Sequence, residues 1–174
     1  MSLLAKRIPA HRNRHLVYEN VQDELGTESQ NDSHEQSFLQ FLSLLARIDE
    51  KTVHARPIWS EIHAFNATID QVCSTGDFRK AAAFMGMIEL LFSDYSGRIG
   101  KAVIEAEWLT NSELVHYTTH QGLDLQHAKD FFSVTDLDWK SNTDMLLEGL
   151  QEGANALDTL YQALHQHRTR RIRQ

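Results

Sequence analysis

Apolar side chains recur at three- and four-residue spacing along most of the chain, which is the spacing of one face of an α-helix. This pattern predicts helices over about 11–25, 34–48, 58–74, 77–96, 101–108, 113–131 and 143–168. Gly97 and Gly100 predict a kink or short break between the fourth and fifth segments, and Gly122 is expected to let a neighbouring helix come close. No alternating strand pattern or internal repeat is visible, so we expect an all-α helical bundle of six to seven helices.

The segment 113–131, ELVHYTTHQGLDLQHAKDF, places three potential metal ligands on one helical stripe. At about 100° per residue, His120, Asp124 and His127 fall within about 60° of one another. Tyr117 extends the same stripe, which is where a bundle helix normally carries core residues. The pattern therefore indicates a buried polar site rather than a solvated helix face.

A single carboxylate interrupts the apolar run AAAFMGMIELLF at 81–92. An isolated buried carboxylate is costly, so Glu89 is expected to be paired, protonated or bound to a metal ion. The alternative is a local solvent window or an ion pair with an arginine such as Arg79 or Arg98.

Composition narrows the class of protein. The 174 residues suit one domain, 1–174, in which the basic end at about 168–174 is a frayed helix terminus. A net charge of -7 argues against a nucleic-acid-binding body, and the lone Cys73 excludes a disulfide framework and a cysteine-based zinc site. The chain shows neither an 18-residue apolar segment nor a signal-peptide core, so we expect a soluble cytoplasmic protein with no membrane partner.

Imidazoles and carboxylates together suit iron, manganese or zinc. Six such side chains lie on four different helices or helix ends that antiparallel packing could bring together: Glu24, His34, Glu89, His120, Asp124 and His127. Six ligands exceed the three protein ligands of a catalytic zinc site. They suit two ions that share carboxylates.

These residues also resemble the motifs of the heme-oxygenase-like diiron oxidases and oxygenases. The resemblance spans about 14–165 and rests on three features. They are the H-x3-D-x2-H run at His120, Asp124 and His127, the DELG segment followed by a histidine from Glu24 to His34, and Glu89 about thirty residues before the run.

The resemblance implies a heme-oxygenase-like helical fold and a labile cofactor of two Fe(II) ions, with O2 as co-substrate. The reaction would oxidise a small organic substrate such as an amino acid or a fatty acid. The six residues would be the iron ligands, and Tyr117 would hydrogen-bond a ligand or donate an electron, with plain core packing as the alternative. Family members usually carry a further long helix before the DELG segment, whereas 23 residues precede Glu24 here. A second chain is therefore expected to complete the pocket in a homodimer.

Two other functions are compatible with the same pattern. Relatives of thiaminase and cofactor-biosynthesis type use such a cavity without metal, with His and Glu as acid and base. A non-catalytic helical interaction protein would need no metal at all. The E-x-x-H pair of Glu113 and His116 is typical of ferritin-like diiron proteins, but that class needs two such helices, and a first-turn position explains Glu113.

Overall fold

The computed structural model describes residues 1–26 and 33–172, with side chains as far as 166, and within these residues it is helical without any strand. The described residues form eight helices: α1 (Ser2–Arg7), α2 (Arg14–Leu25), α3 (His34–Ala46), α4 (Glu50–His54), α5 (Ser60–Ser74), α6 (Phe78–Glu105), α7 (Val115–Ser133) and α8 (Thr143–Ile172). The all-α prediction is confirmed. None of the helices in this part of the chain has the length and apolar character needed to cross a membrane.

The structure has two short helices, α1 and α4, that the apolar spacing does not predict. Both are too short to show helical periodicity. Asp49 caps α4 by accepting a hydrogen bond from the Thr52 backbone N–H at 2.8 Å. The predicted basic end at about 168–174 continues α8 to Ile172, and 173–174 lie outside the described residues.

The predicted break at Gly97 and Gly100 is wrong, because α6 is one helix of 28 residues. These glycines instead make room for α7. A Cβ on Gly97 would lie 2.9 Å from Gln121 Nε2, and a Cβ on Gly100 would lie 3.2 Å from Leu114 Cδ2. The close approach expected at Gly122 is also wrong, since a Cβ there would meet no described atom within 4 Å beyond its own helix turn.

The long helix α6 is the centre of the bundle and packs against α7 on one side and α8 on another. The α8 contact is unusually close, because a Cβ on Gly149 would lie 2.6 Å from the Lys80 carbonyl oxygen and one on Gly153 would lie 2.5 Å from that of Phe84. Only glycine allows this approach. The side of α6 that faces α7 carries Glu89.

The N-terminal segment closes one end of the bundle. Leu4, Ala5 and Ile8 of this segment are fully buried and join the core formed by α6 and α7. Arg12 Nη1 donates to Asp138 Oδ2 at 2.5 Å, and Arg79 Nη1 donates to the other oxygen at 3.2 Å. The Asp138 side chain is only 6% exposed, so this pair of bonds ties the segment to α6 and to the α7–α8 connection.

Candidate metal centre

The six residues predicted as ligands converge where α2, α3, α6 and α7 meet. Glu24 lies in the last turn of α2 and His34 is the first residue of α3, while Glu89 lies in the middle of α6. His120, Asp124 and His127 come from α7. Four of the six are buried, Glu24 is half-buried and His34 is exposed.

His34 and Glu24 form the most accessible part of the cluster. The Ser33 side chain caps α3 by accepting from the Gln36 backbone N–H, which places His34 at the helix start. His34 Nδ1 lies 2.9 Å from Glu24 Oε2. Burial acts to raise the pKa of Glu24, but the hydrogen bond and the charge of His34 outweigh it and the pKa is lowered. Burial likewise opposes a charged His34, yet the bond to Glu24 leaves its pKa raised.

Asp124 connects two groups of possible ligands. His120 Nδ1 lies 3.0 Å from Asp124 Oδ1, a contact between successive turns of α7. Ligand atoms of Glu24, His120 and Asp124 all lie within 4.8 Å of one another, and the same holds for Glu89, Asp124 and His127. A carboxylate shared by two such groups is positioned to bridge two cations.

Glu89 is a buried carboxylate without a cationic side chain next to it among the described residues. The arginines considered as partners bond elsewhere, Arg79 to Asp77 and Asp138 and Arg98 to Asp94. Burial raises the pKa of Glu89 well above its usual value, and the negative charges of Asp124 and Glu24 raise it further. The ion pair with an arginine is therefore wrong as an explanation of Glu89.

The His127 ring contains a buried nitrogen without a hydrogen-bond partner in the described part of the chain, Nδ1. This nitrogen lies 3.7 Å from Glu24 Oε1 and 3.9 Å from Glu89 Oε2, beyond hydrogen-bond distance. On the other side of the ring, Nε2 lies 3.4 Å from Asp23 Oδ2. A cation held by His127, Glu89 and Asp124, whose ligand atoms lie within 4.8 Å of one another, would give this nitrogen a partner, so the donor set fits an iron or manganese ion.

Two further residues lie near the cluster, one without a prediction and one that the sequence paired only with Glu113. One is Asp23, whose only sequence signal is its place beside Glu24. The other is His116, whose ring centroid lies 5.0 Å from that of His34 and 4.6 Å from that of His120. Burial lowers the pKa of His116 to about 3, helped by the charges of His120 and His34. The sequence signal for His116 is its spacing of four residues from His120, which places both side chains on the same face of a helix.

Glu113, the other half of the E-x-x-H pair, is exposed and lies before α7 begins. Its carboxylate accepts from the Thr110 backbone N–H at 2.8 Å and from Thr110 Oγ1 at 2.7 Å. The predicted first-turn position of Glu113 is therefore wrong, because α7 begins at Val115 and Glu113 closes the turn before it.

A cavity of about 360 Å³ opens onto the cluster. Its lining includes the apolar side chains of Met85, Ile88 and Phe92, which flank Glu89 on α6, and Met1 of the N-terminal segment. The polar side chains outside the six predicted ligands are Ser96, His116, Tyr117 and Tyr161, and no lysine or arginine is among the described residues that line the cavity. A second cavity of about 390 Å³, next to α5 and α8, contains no histidine from the cluster.

Tyr117 lines this cavity and also packs against aromatic rings. Its ring lies edge-on to Phe41 at 4.8 Å and to His116 at 4.9 Å, measured between ring centroids. Burial raises the pKa of the Tyr117 phenol, so the hydroxyl keeps its proton at neutral pH. The residue therefore has a packing role in addition to its position on the cavity wall.

Comparison with known families agrees with this geometry. The model of a family described as iron-containing redox enzymes matches residues 1–161, a range that includes all six predicted ligands and Tyr117. No curated protein matches the chain at a significant level. Because the family match extends over most of the sequence, the chain belongs to the iron-containing redox enzyme family, which has the helical heme-oxygenase-like fold.

Proposed function

We propose that this protein is a non-heme diiron oxidase or oxygenase that uses O2 to oxidise a small, mainly apolar organic molecule. The observation that carries the proposal is the pair of ligand groups that share Asp124 beside the cavity. Family membership supports the iron and the redox chemistry. The number of ions, O2 and the substrate class are our own inference.

The charges of the cluster support two divalent cations rather than one. Glu24, Glu89 and Asp124 would bring three negative charges close together, and the side chains of the described ligand groups that can be positively charged are imidazoles. Carboxylate oxygens and imidazole nitrogens are the ligand types that suit ferrous iron. Two ferrous ions held here would supply the electrons and the open coordination positions needed to reduce O2.

The residues around the ions would have distinct tasks. Glu89 would lose its proton as a cation binds, because the cation offsets the burial that otherwise keeps the carboxyl protonated. Asp23 would hold the His127 ring through Nε2, which leaves Nδ1 for the cation. Tyr117 would hold a proton at its phenol oxygen on the cavity wall.

The cavity lining supports an apolar substrate. Apolar side chains form much of the cavity wall beside the cluster, where they would exclude water from the reacting atoms. A carboxylate or phosphate at that end would find no lysine or arginine among the described lining residues. One neutral polar group on the substrate would find Ser96 or Tyr161. The volume lies near the lower end of the roughly 300–1,000 Å³ typical of small-molecule sites, which favours a compact substrate.

The decisive experiment is anaerobic loading with Fe(II), followed by rapid mixing with O2 while the visible spectrum is recorded. We expect about two irons per chain and a transient absorption band in the wild type. Asp124→Ala should lose both. Asp94→Ala, which removes an exposed α6 carboxylate bonded to Arg98, is the matched control and should behave like the wild type. Absence of specific iron, or equal iron binding by Asp124→Ala, would refute the proposal.

A metal-free acid–base enzyme is the second candidate, and one observation favours it. Without a cation, Glu89 is a protonated acid and lies 3.9 Å from the unpartnered nitrogen of His127. Such a pair could transfer a proton to and from a substrate in the cavity. This function requires activity that persists in the presence of a strong chelator.

The homodimer stays a prediction, which analytical ultracentrifugation of the full chain would test.

A further inference from the structure

Three histidine rings meet at the edge of the cluster, and one of them has no place in the ligand set proposed above. The centroids of His34 and His120 are 4.1 Å apart, and His116 lies 5.0 Å and 4.6 Å from them. One ring nitrogen from each lies within 4.8 Å of those of the other two. His116 and His120 are one helical turn apart on α7, and His34 faces them from the start of α3.

The hydrogen bonds around Ser37 assign the proton of the His116 ring. Ser37 Oγ donates its hydrogen to the His34 carbonyl oxygen at 3.0 Å. The same oxygen lies 2.8 Å from His116 Nδ1, so it must accept a hydrogen bond from Nδ1–H. A neutral imidazole with its proton on Nδ1 has a free lone pair on Nε2.

The other two rings are oriented in the same way. His34 Nδ1 contacts Glu24 Oε2 at 2.9 Å, and His120 Nδ1 contacts Asp124 Oδ1 at 3.0 Å. In each of the three histidines, Nδ1 therefore contacts a protein oxygen, and Nε2 is available to bind a cation. An oxygen partner on the nitrogen away from the metal is the usual arrangement of metal-binding histidines.

We propose that His116 is a third nitrogen ligand, so that His34, His116 and His120 together bind one divalent cation through their Nε2 atoms. The proposal uses the cluster of the proposed function but does not depend on its O2 chemistry. One metal position becomes rich in nitrogen, whereas the position beside Glu89 and Asp124 is rich in oxygen. A three-histidine set favours copper, cobalt and zinc over manganese, so the two positions should differ in metal preference.

The test uses Cu(II) as the probe, because its electron paramagnetic resonance spectrum reports the number of coordinated nitrogens. One equivalent of Cu(II) is added to the full metal-free chain. We expect coupling to three imidazole nitrogens in the wild type and to two in His116→Ala, with a loss of affinity of about tenfold or more. His15→Ala is the matched control, because the exposed His11 and His15 form another pair four residues apart. Its spectrum should match that of the wild type.

Three results would overturn the proposal: two nitrogens in the wild type, three nitrogens that persist in His116→Ala, or a change in His15→Ala instead. The nitrogen count of the wild type does not depend on whether a variant folds. Glu89→Gln should keep all three nitrogens. If the chain shows three nitrogens but neither a second ion nor a response to O2, the diiron proposal fails and this inference stands. If it shows two irons and an O2 response but only two nitrogens, this inference fails and the diiron proposal stands.

Discussion

Replacing Glu89 with Gln is expected to stabilise the metal-free protein and to weaken its metal binding. The two effects have one cause. Without a cation, burial keeps the Glu89 carboxyl protonated, and holding that proton above the ordinary carboxyl pKa lowers the free energy of unfolding. Gln removes this cost with little change of shape. With a cation bound, the same carboxylate is a ligand, and the variant loses it.

The structure sets the size of the first effect. The Glu89 side chain is 7% exposed, and the nearest imidazole nitrogen is 3.9 Å away, so its charge has no hydrogen-bond partner there. A buried polar group left without a partner costs on the order of 1–3 kcal/mol, and a charged group costs more. We therefore expect Glu89→Gln to raise the free energy of unfolding of the metal-free chain by about 1–3 kcal/mol or more at a pH above the folded-state pKa of Glu89.

The increase in the free energy of unfolding caused by Glu89→Gln should become larger as the pH rises. The pKa of Glu89 in the folded chain is raised well above 4.5, its ordinary value, so the folded state binds more protons than the unfolded state. The cost is absent below pH 4.5, grows as the pH rises from there towards the folded-state pKa, and is constant above that pKa. The difference between variant and wild type should grow over the same interval.

The assay is urea denaturation in the presence of a chelator at several values from about pH 5 to 8. Glu105→Gln, which removes an exposed carboxylate from the same helix, is the control and should change stability by less than about 0.5 kcal/mol. Repeating the series with excess Mn(II) should stabilise the wild type by about 2.7 kcal/mol at 100 times the dissociation constant and the variant by much less. A Glu89→Gln variant that is less stable without metal, or equally stable at every pH, would refute the reasoning.

Four further variants test the packing and the site. Gly153→Ala should lower the free energy of unfolding by about 2 kcal/mol or more, because its Cβ would lie 2.5 Å from the Phe84 carbonyl oxygen. Gly122→Ala should instead raise it by up to about 1 kcal/mol, since the position is open, and thermal unfolding of the two variants checks both signs. Asp138→Ala should cost about 1–3 kcal/mol in urea denaturation, because two arginines lose their shared acceptor. Tyr117→Phe should keep iron binding but slow substrate oxidation in single-turnover kinetics, and an unchanged rate would assign the residue to packing alone.

The local relations in the cluster were readable from the sequence. Helical periodicity places His120, Asp124 and His127 on one stripe of α7, and the structure has all three buried together. The apolar run around Glu89 correctly predicts its burial. Both relations depend on residues within one helix, where the spacing alone fixes the geometry.

The glycines show where sequence reasoning failed. Gly97 and Gly100 break no helix, and Gly122 admits no neighbour, whereas Gly149 and Gly153 allow α8 to approach α6. A glycine has the same local signature whether it ends a helix or makes room for another one. Its role depends on which helix faces it, and that information is not local.

His116 gives the same lesson within the site. It lies about 40° from His120 on the helical wheel, so the periodicity already permits it to join the stripe. The E-x-x-H spacing suggested Glu113 as the partner of His116. In the structure, His116 instead contacts Ser37 and His34 of α3. The sequence by itself determined the helices, the stripe on α7 and the buried carboxylate of α6, because these follow from spacing within a helix. Only the tertiary structure decided that Glu24, His34 and His116 complete the cluster, because the packing of α2 and α3 against α7 sets those distances.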